Sequence, residues 1–210
     1  VMIKILGFLL MSYRIEEKIP VSIAEGTQLI NHLKKIGLER LYPSRKIASS
    51  YFDNENLDLF RDSEEGLLPR KKLRLRCYPN NLDEIEYSME TKISSVEGRF
   101  KTSKPFMLIS NKSLTDIQFL DCSYGILKPV VEILYLREYY FVNGIRITLD
   151  SDIRYKDLKC FSNYFFEERC VIELKAPDNT SLDFLISLIH EPRRRFSKYC
   201  NAIKFLNLSR

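Results

Sequence analysis

Residues 70–78, RKKLRLRCY, place Arg70, Lys72, Arg74 and Arg76 on alternate positions, with Lys71, Leu73, Leu75 and Cys77 between them. A period of two is that of a β-strand, whose successive side chains point to opposite faces. One face of this strand therefore carries four cations about 7 Å apart, from the strand rise. At an effective dielectric of about 20, neighbours at that spacing repel by roughly 2–2.5 kcal/mol. The two-faced pattern recurs along the chain. Arg14, Glu16 and Lys18 share a side in YRIEEKI, as do Glu86, Ser88, Glu90 and Lys92 in EIEYSMETK, and Tyr135 and Arg137 in VVEILYLREYY. Arg146, Thr148 and Asp150 share one in IRITLD, and Glu173 and Lys175 in VIELK. Six strands of this kind restrict the fold to a sheet whose charged side meets either solvent or a polar interior.

Strand patterns cover 12–19, 46–53, 70–78, 84–93, 98–102, 130–141, 144–150 and 170–176. Asn143–Gly144 between two of them is a hairpin signal. Helical patterns cover 22–36, 56–61, 113–121, 181–190 and 197–206, with Ser22 and Glu25 spaced as a capping box. The expected class is α+β: an antiparallel sheet of about eight strands with helices packed outside. No repeat, low-complexity tract or Gly/Ser linker interrupts the 210 residues, so one domain is expected over 12–208, preceded by an extension at 1–11.

Two arrangements remain open at this point. The charged faces are either the solvated side of an ordinary sheet, or the interior of a barrel whose apolar faces lie outward under the helices. In the second case Arg14, Lys18, Arg70, Lys72, Arg74, Arg76, Lys92, Arg137, Arg146 and Lys175 surround Glu16, Glu86, Glu90, Asp150 and Glu173. Unpaired charge is costly away from water, so such a lumen holds water and anions. Phosphate chains suit it, because guanidinium forks pair with phosphate oxygens, and the glutamates are left for a hard divalent cation.

The five cysteines show no C-x-x-C spacing and read as free thiols, and His32 and His190 read as structural. The opening VMIKILGFLLM is too short to span a bilayer. It reads as sequence upstream of a start at Met11 or as a short packing segment, and a cytoplasmic protein is expected.

Nine segments then occur in one order: YRIEEK, YFDNENLDLFRD, KKLRLRCY, METK, GRFK, YLREYY, IRITLDSDIRY, VIELK and RRFSKY. Over about residues 12–205 the chain resembles the VTC domain, the polyphosphate polymerase domain of the vacuolar transporter chaperone complex and a branch of the triphosphate tunnel metalloenzymes. The resemblance implies an eight-stranded antiparallel tunnel with a basic lumen. By position, Lys18, Arg74, Arg76, Arg137 and Arg146 match residues that contact a nucleoside triphosphate or phosphate chain. Tyr135 matches the aromatic beside them, Glu173 the metal-binding carboxylate, and Ser197 and Lys198 a Ser–Lys pair at the start of the C-terminal helix. The triplet Arg14, Glu16, Lys18 departs from the E-x-E-x-K opening of the wider superfamily.

Transfer of the γ-phosphoryl group of ATP to a growing polyphosphate chain is the implied activity. Lys72, Arg74 and Arg76 are spaced for successive phosphates, Lys92, Lys175, Ser197 and Lys198 add phosphate contacts, and Glu173 with Glu90 or Glu16 would hold Mn²⁺ or Mg²⁺. Two alternatives stay in view: hydrolysis of inorganic triphosphate or a nucleotide, and a non-catalytic polyphosphate- or nucleotide-binding module. Nucleic-acid binding is disfavoured because the tyrosines fall at strand ends and on apolar faces. These 210 residues leave no room for membrane segments, so a separate membrane partner is expected where synthesis is coupled to translocation. Within the opening stretch, Arg74, Arg76 and Lys72 are expected in the lumen and Arg70 at a mouth, with Lys71 and Cys77 facing away.

Overall fold

A computed structural model describes residues 14–79, 86–108, 113–160, 163–181 and 196–208. The extension at 1–11, the helical pattern at 181–190 beyond its first residue, and His190 lie outside them. In chain order the elements are β1 (Arg14–Ser22), α1 (Ile23–Lys35), β2 (Glu39–Asp53), α2 (Asp58–Glu65), β3 (Arg70–Cys77), β4 (Tyr87–Ser95) and β5 (Gly98–Phe106). A 3₁₀ turn (Leu114–Asp116) follows, then β6 (Phe119–Asp121), β7 (Gly125–Val142), β8 (Ile145–Asp157), β9 (Phe165–Phe166), β10 (Arg169–Pro177) and α3 (Lys198–Phe205). Eight strands form one antiparallel path, β1-β10-β8-β7-β2-β3-β4-β5, with β6 paired to β7 and β9 to β8.

The architecture is α+β, as expected, but two parts of the expectation need correction. First, the hydrogen-bonded path does not close into a barrel: β1 and β5 are its two ends. Lys18 on β1 and Lys92 on β4 repel each other across the gap. Side chains span the seam instead, with Arg99 on β5 reaching Glu16 on β1 at 3.9 Å. Second, α3 does not pack outside. Its Tyr199, Cys200, Ala202 and Ile203 cluster with Tyr51, Val131, Ile133 and Tyr135, which share strand parity with the cations. One end of the concave face is therefore filled by a helix, and the charged residues occupy the rest.

Bulges help the sheet curl. Register shifts interrupt β2–β7 between Arg40 and Tyr42, Tyr42 and Arg45, and Tyr51 and Phe52, and β7–β8 between Leu134 and Leu136. At Asn143–Gly144 both φ angles are positive (48° and 78°), as a two-residue hairpin turn requires. The Ser22–Glu25 capping box starts α1, whose Ile30 and Leu33 pack on Val21, Ile147, Leu149 and Ile172 on the outer face. The helix expected at 113–121 is a single 3₁₀ turn closed by the Ser113–Asp116 box, after which Phe119–Asp121 pairs with β7. No described helix is long and apolar enough to cross a membrane.

One motif shows how the sequence builds the site. In Tyr51–Phe52–Asp53 the first ring faces the concavity, the second enters the outer core with Leu73 and Leu75, and the third caps α2. The Asp53 carboxylate accepts from the backbone N–H of Leu59 and Phe60 at 3.0 and 2.9 Å and from the Tyr199 hydroxyl at 2.5 Å. That last bond ties α3 to the strand that carries Tyr51, whose ring stacks on Tyr199 at 5.0 Å.

Candidate functional site

The concave face encloses a cavity of about 780 Å³ lined by twelve Lys and Arg side chains and five glutamates. Cross-strand register fixes who meets whom. On one wall Lys18 lies opposite Glu173, and Glu16 opposite Lys175, across β1–β10. Glu16 pairs with Lys18 at 2.8 Å, and Glu173 with Lys175 at 3.0 Å and Arg137 at 3.4 Å. Arg137 also grips Asp150 through Nε and Nη2 at 2.5 and 2.7 Å, and Lys198 at the start of α3 reaches the same carboxylate at 2.5 Å. Asp150 is fully buried behind Arg137, so it orients the two cations and presents no face to the cavity.

The other wall is built on β3, β4 and β5. Arg74 forks onto Glu90 (Nε 2.9 Å, Nη2 2.5 Å) and donates to the Tyr51 hydroxyl at 2.9 Å. Arg76 and Lys101 reach Glu90 at 3.4 and 3.1 Å. Arg76 also donates to the Tyr135 hydroxyl at 3.4 Å, while its Nε is buried with no partner among the described residues. Lys72 donates to Ser197 Oγ at 2.8 Å. Lys72 and Lys92 are directly opposed in register, and neither forms an ion pair among the described residues.

These arrangements set the charge states. Burial works against ionisation of Glu90, but Arg74 and Arg76 outweigh it and hold the carboxyl at about 2. Glu173 is held well below the carboxylate range in the same way by Lys18, Arg137 and Lys175. The cavity walls strip water from Lys92, and Arg74 and Lys18 repel it, which brings its ammonium down to about 8. Burial would raise the Tyr51 phenol, but Arg74, Arg76, Lys92 and Lys72 together bring it down to about 8.

Of the residues singled out from sequence, Lys18, Lys72, Arg74, Arg76, Lys92, Arg137, Lys175, Ser197, Lys198, Tyr135, Glu173, Glu90 and Glu16 all line the cavity. Arg146 does not: it is exposed near the Asn143–Gly144 hairpin, beyond the lining. Glu86 is exposed, and the Arg14 side chain lies outside the description. Lys71 faces away and pairs with Asp121, and Cys77 is buried in the opposite direction. Sequence reading missed Arg99 and Lys101, although both alternate correctly along β5 to face inward, and it missed Tyr51 and Lys204, which need the fold to place them.

The glutamates differ as ligands for a divalent cation. Glu90 is the most tightly committed, gripped by the two-donor fork of Arg74 and reached by Arg76 and Lys101. Glu16 and Glu173 are diagonal neighbours on adjacent strands, close enough for Glu173 to oppose the ionisation of Glu16. Two carboxylates completed by phosphate oxygens and water are what Mg²⁺ accepts, so this pair fits. No three His, Cys, Asp or Glu side chains converge among the described residues.

Among solved structures, a candidate adenylate cyclase from Vibrio parahaemolyticus is 17% identical, covering 91% of this chain and 97% of its own, with a TM-score of 0.52. A conserved hypothetical protein from Pyrococcus furiosus is 11% identical, covering 89% and 99%, also at 0.52. At these identities the likeness is one of fold. No curated protein sequence matches the chain. The sequence model of the VTC domain matches residues 8–207, a span that holds both walls of the cavity. The chain belongs to the VTC domain family.

Proposed function

We propose that this domain transfers the γ-phosphoryl group of ATP to a polyphosphate chain lying in the basic cavity. The observation that carries this reading is the opposed pair Lys72 and Lys92, which face the cavity with no ion-pair partner among the described residues. Like charges directly opposite each other destabilise a sheet unless something of the other sign lies between them. Phosphate oxygens supply that sign and accept from guanidinium and ammonium groups alike.

Phosphoryl transfer asks little covalent chemistry of a protein and much positioning. Arg74 and Arg76 are held in place by Glu90, and Arg137 by Asp150, so their remaining donors are aimed before any phosphate arrives. Donors fixed in advance offset the charge of the transferring group with little reorganisation. Lys198 and Ser197 at the start of α3 face the same space, where Lys72 holds the Ser197 hydroxyl. Glu16 and Glu173 would hold the Mn²⁺ or Mg²⁺, which supplies further charge neutralisation at the phosphate oxygens when bound.

Incubation of the pure protein with ATP and Mn²⁺, resolved on a product-length gel, tests the reading. Long chains support the polymerase, orthophosphate alone supports a triphosphatase in the same cavity, and no turnover removes both. Glu173→Gln keeps the shape of the side chain and removes its charge, so turnover should vanish with the fold intact by circular dichroism. Unchanged turnover would remove Glu173 from the metal site.

A further inference from the structure

Two cation rows run on to tyrosine at the same end of the cavity, just beyond its lining. On β3 the inward series Arg74, Arg76 continues to Tyr78, and on β7 the series Tyr135, Arg137 continues to Tyr139. The strand between them, β2, contributes Arg45, opposite Arg137 in register, and Tyr42, opposite Tyr139. The Arg45 guanidinium sits 5.9 Å over the Tyr78 ring, and Tyr42 meets Tyr139 edge-on at 5.7 Å and 81°. The Tyr139 hydroxyl lies in the field of Arg137, Tyr78, Arg45 and Tyr135, so these groups are close neighbours.

Core packing does not account for the cluster. Tyr42, Tyr78 and Tyr139 belong to none of the three hydrophobic cores, and Tyr78 and Tyr42 are 41% and 53% exposed. Exposed large aromatics held beside guanidinium groups are a surface on which a nucleobase stacks. Each tyrosine lies one same-face step, about 7 Å, beyond an arginine that lines the phosphate cavity.

We propose that Tyr78 and Tyr139, with Arg45 between their strands, form the subsite for the base of a nucleoside triphosphate whose phosphates lie on Arg76 and Arg137. The proposal rests on the phosphotransferase reading above and adds direction to it: the base lies at this end of the cavity, beyond the phosphates. The same site then discriminates a nucleotide from inorganic triphosphate, which shares the phosphate contacts and has nothing to stack.

The test measures binding of ATP and of inorganic triphosphate by calorimetry to the wild type and to Tyr78→Ala, Tyr139→Ala and Tyr78→Phe, with ethenoadenosine triphosphate as a fluorescent reporter of stacking. Each alanine should weaken ATP by about fivefold or more and leave triphosphate within twofold, while Tyr78→Phe keeps ATP affinity and the fluorescence change. Equal weakening of both ligands, or undiminished ATP binding, overturns the base subsite and leaves the phosphate site standing. A wild type that binds neither ligand overturns the phosphotransferase reading, and the subsite with it.

Discussion

Lys92 and Tyr51 are the two cavity groups brought closest to neutral pH, both to about 8, and each influences the other. The sign of their effect on ligand binding follows from which form each loses. As pH rises through 8, Lys92 gives up its positive charge and Tyr51 acquires a negative one, so both changes make the cavity less attractive to phosphate. A bound anion stabilises the ammonium and opposes the phenolate, so binding takes up protons in this range. Affinity for inorganic triphosphate should therefore be flat from pH 6.5 to about 7.5 and fall above pH 8. Tyr51→Phe should remove one part of the fall and Lys92→Met most of the remainder, at lower affinity throughout. A wild-type profile that is level to pH 9.5 would show that neither group senses the ligand. Strand parity made the inward direction of Lys92 legible, because its neighbours Thr91 and Ile93 must point the other way. Arg146 has the inward parity too, yet it lies past the end of the cavity, and parity says nothing about where along a strand the enclosure stops.

At the scale of the element, α1 and α3 show what amphipathic pattern can and cannot specify. Both helices have one apolar face, and that much is readable from spacing. Which side of the sheet receives the face is not, because both sides of this sheet carry apolar residues: Ile147 and Ile172 under α1, Ile133 and Tyr135 under α3. The same ambiguity hides in 113–121, whose apolar residues serve a 3₁₀ turn and a short strand over the outer core. The docking of α1 has one close contact that can be tested. A Cβ on Gly26 would lie 2.5 Å from Cys170 Sγ, with Val21 and Leu149 behind it, so the helix sits against β10 with no space for a methyl group. Alanine gains about 1 kcal/mol of helix propensity over glycine, and overpacking costs about 1–3 kcal/mol. Gly26→Ala should therefore be neutral to destabilising in urea unfolding. In the Cys170→Ala background, where the sulfur is gone, it should become stabilising. A double-mutant cycle with no coupling between the two sites would mean that α1 is not seated where the contact puts it.

For the whole molecule, the decisive property is that opposing charges are not evenly matched across the cavity. Twelve cations face five glutamates, and the glutamates serve mainly to hold cations in place. The formal excess over the chain is only +5, so composition alone conveys little of this concentration; the alternation of six strands conveyed it, once they were taken to share an interior. What alternation could not supply was the seam. Whether the ends of a curled sheet meet through backbone or through side chains such as Arg99 and Glu16 depends on twist and on bulges. A fold that concentrates like charge is held back by self-repulsion, and an anion that relieves it stabilises the native state without acting on the unfolded chain. Inorganic triphosphate at one hundred times its Kd should add about 2.7 kcal/mol, which for a domain of this size is a rise in Tm of roughly 5–10 °C. The rise should shrink with added sodium chloride, because screening weakens both the repulsion and its relief. It should also be larger for triphosphate than for orthophosphate at equal total charge, since only a chain reaches several cations at once. Equal shifts for the two anions would mean that the cavity acts as a diffuse sink for counterions, with no ordered track for a phosphate chain.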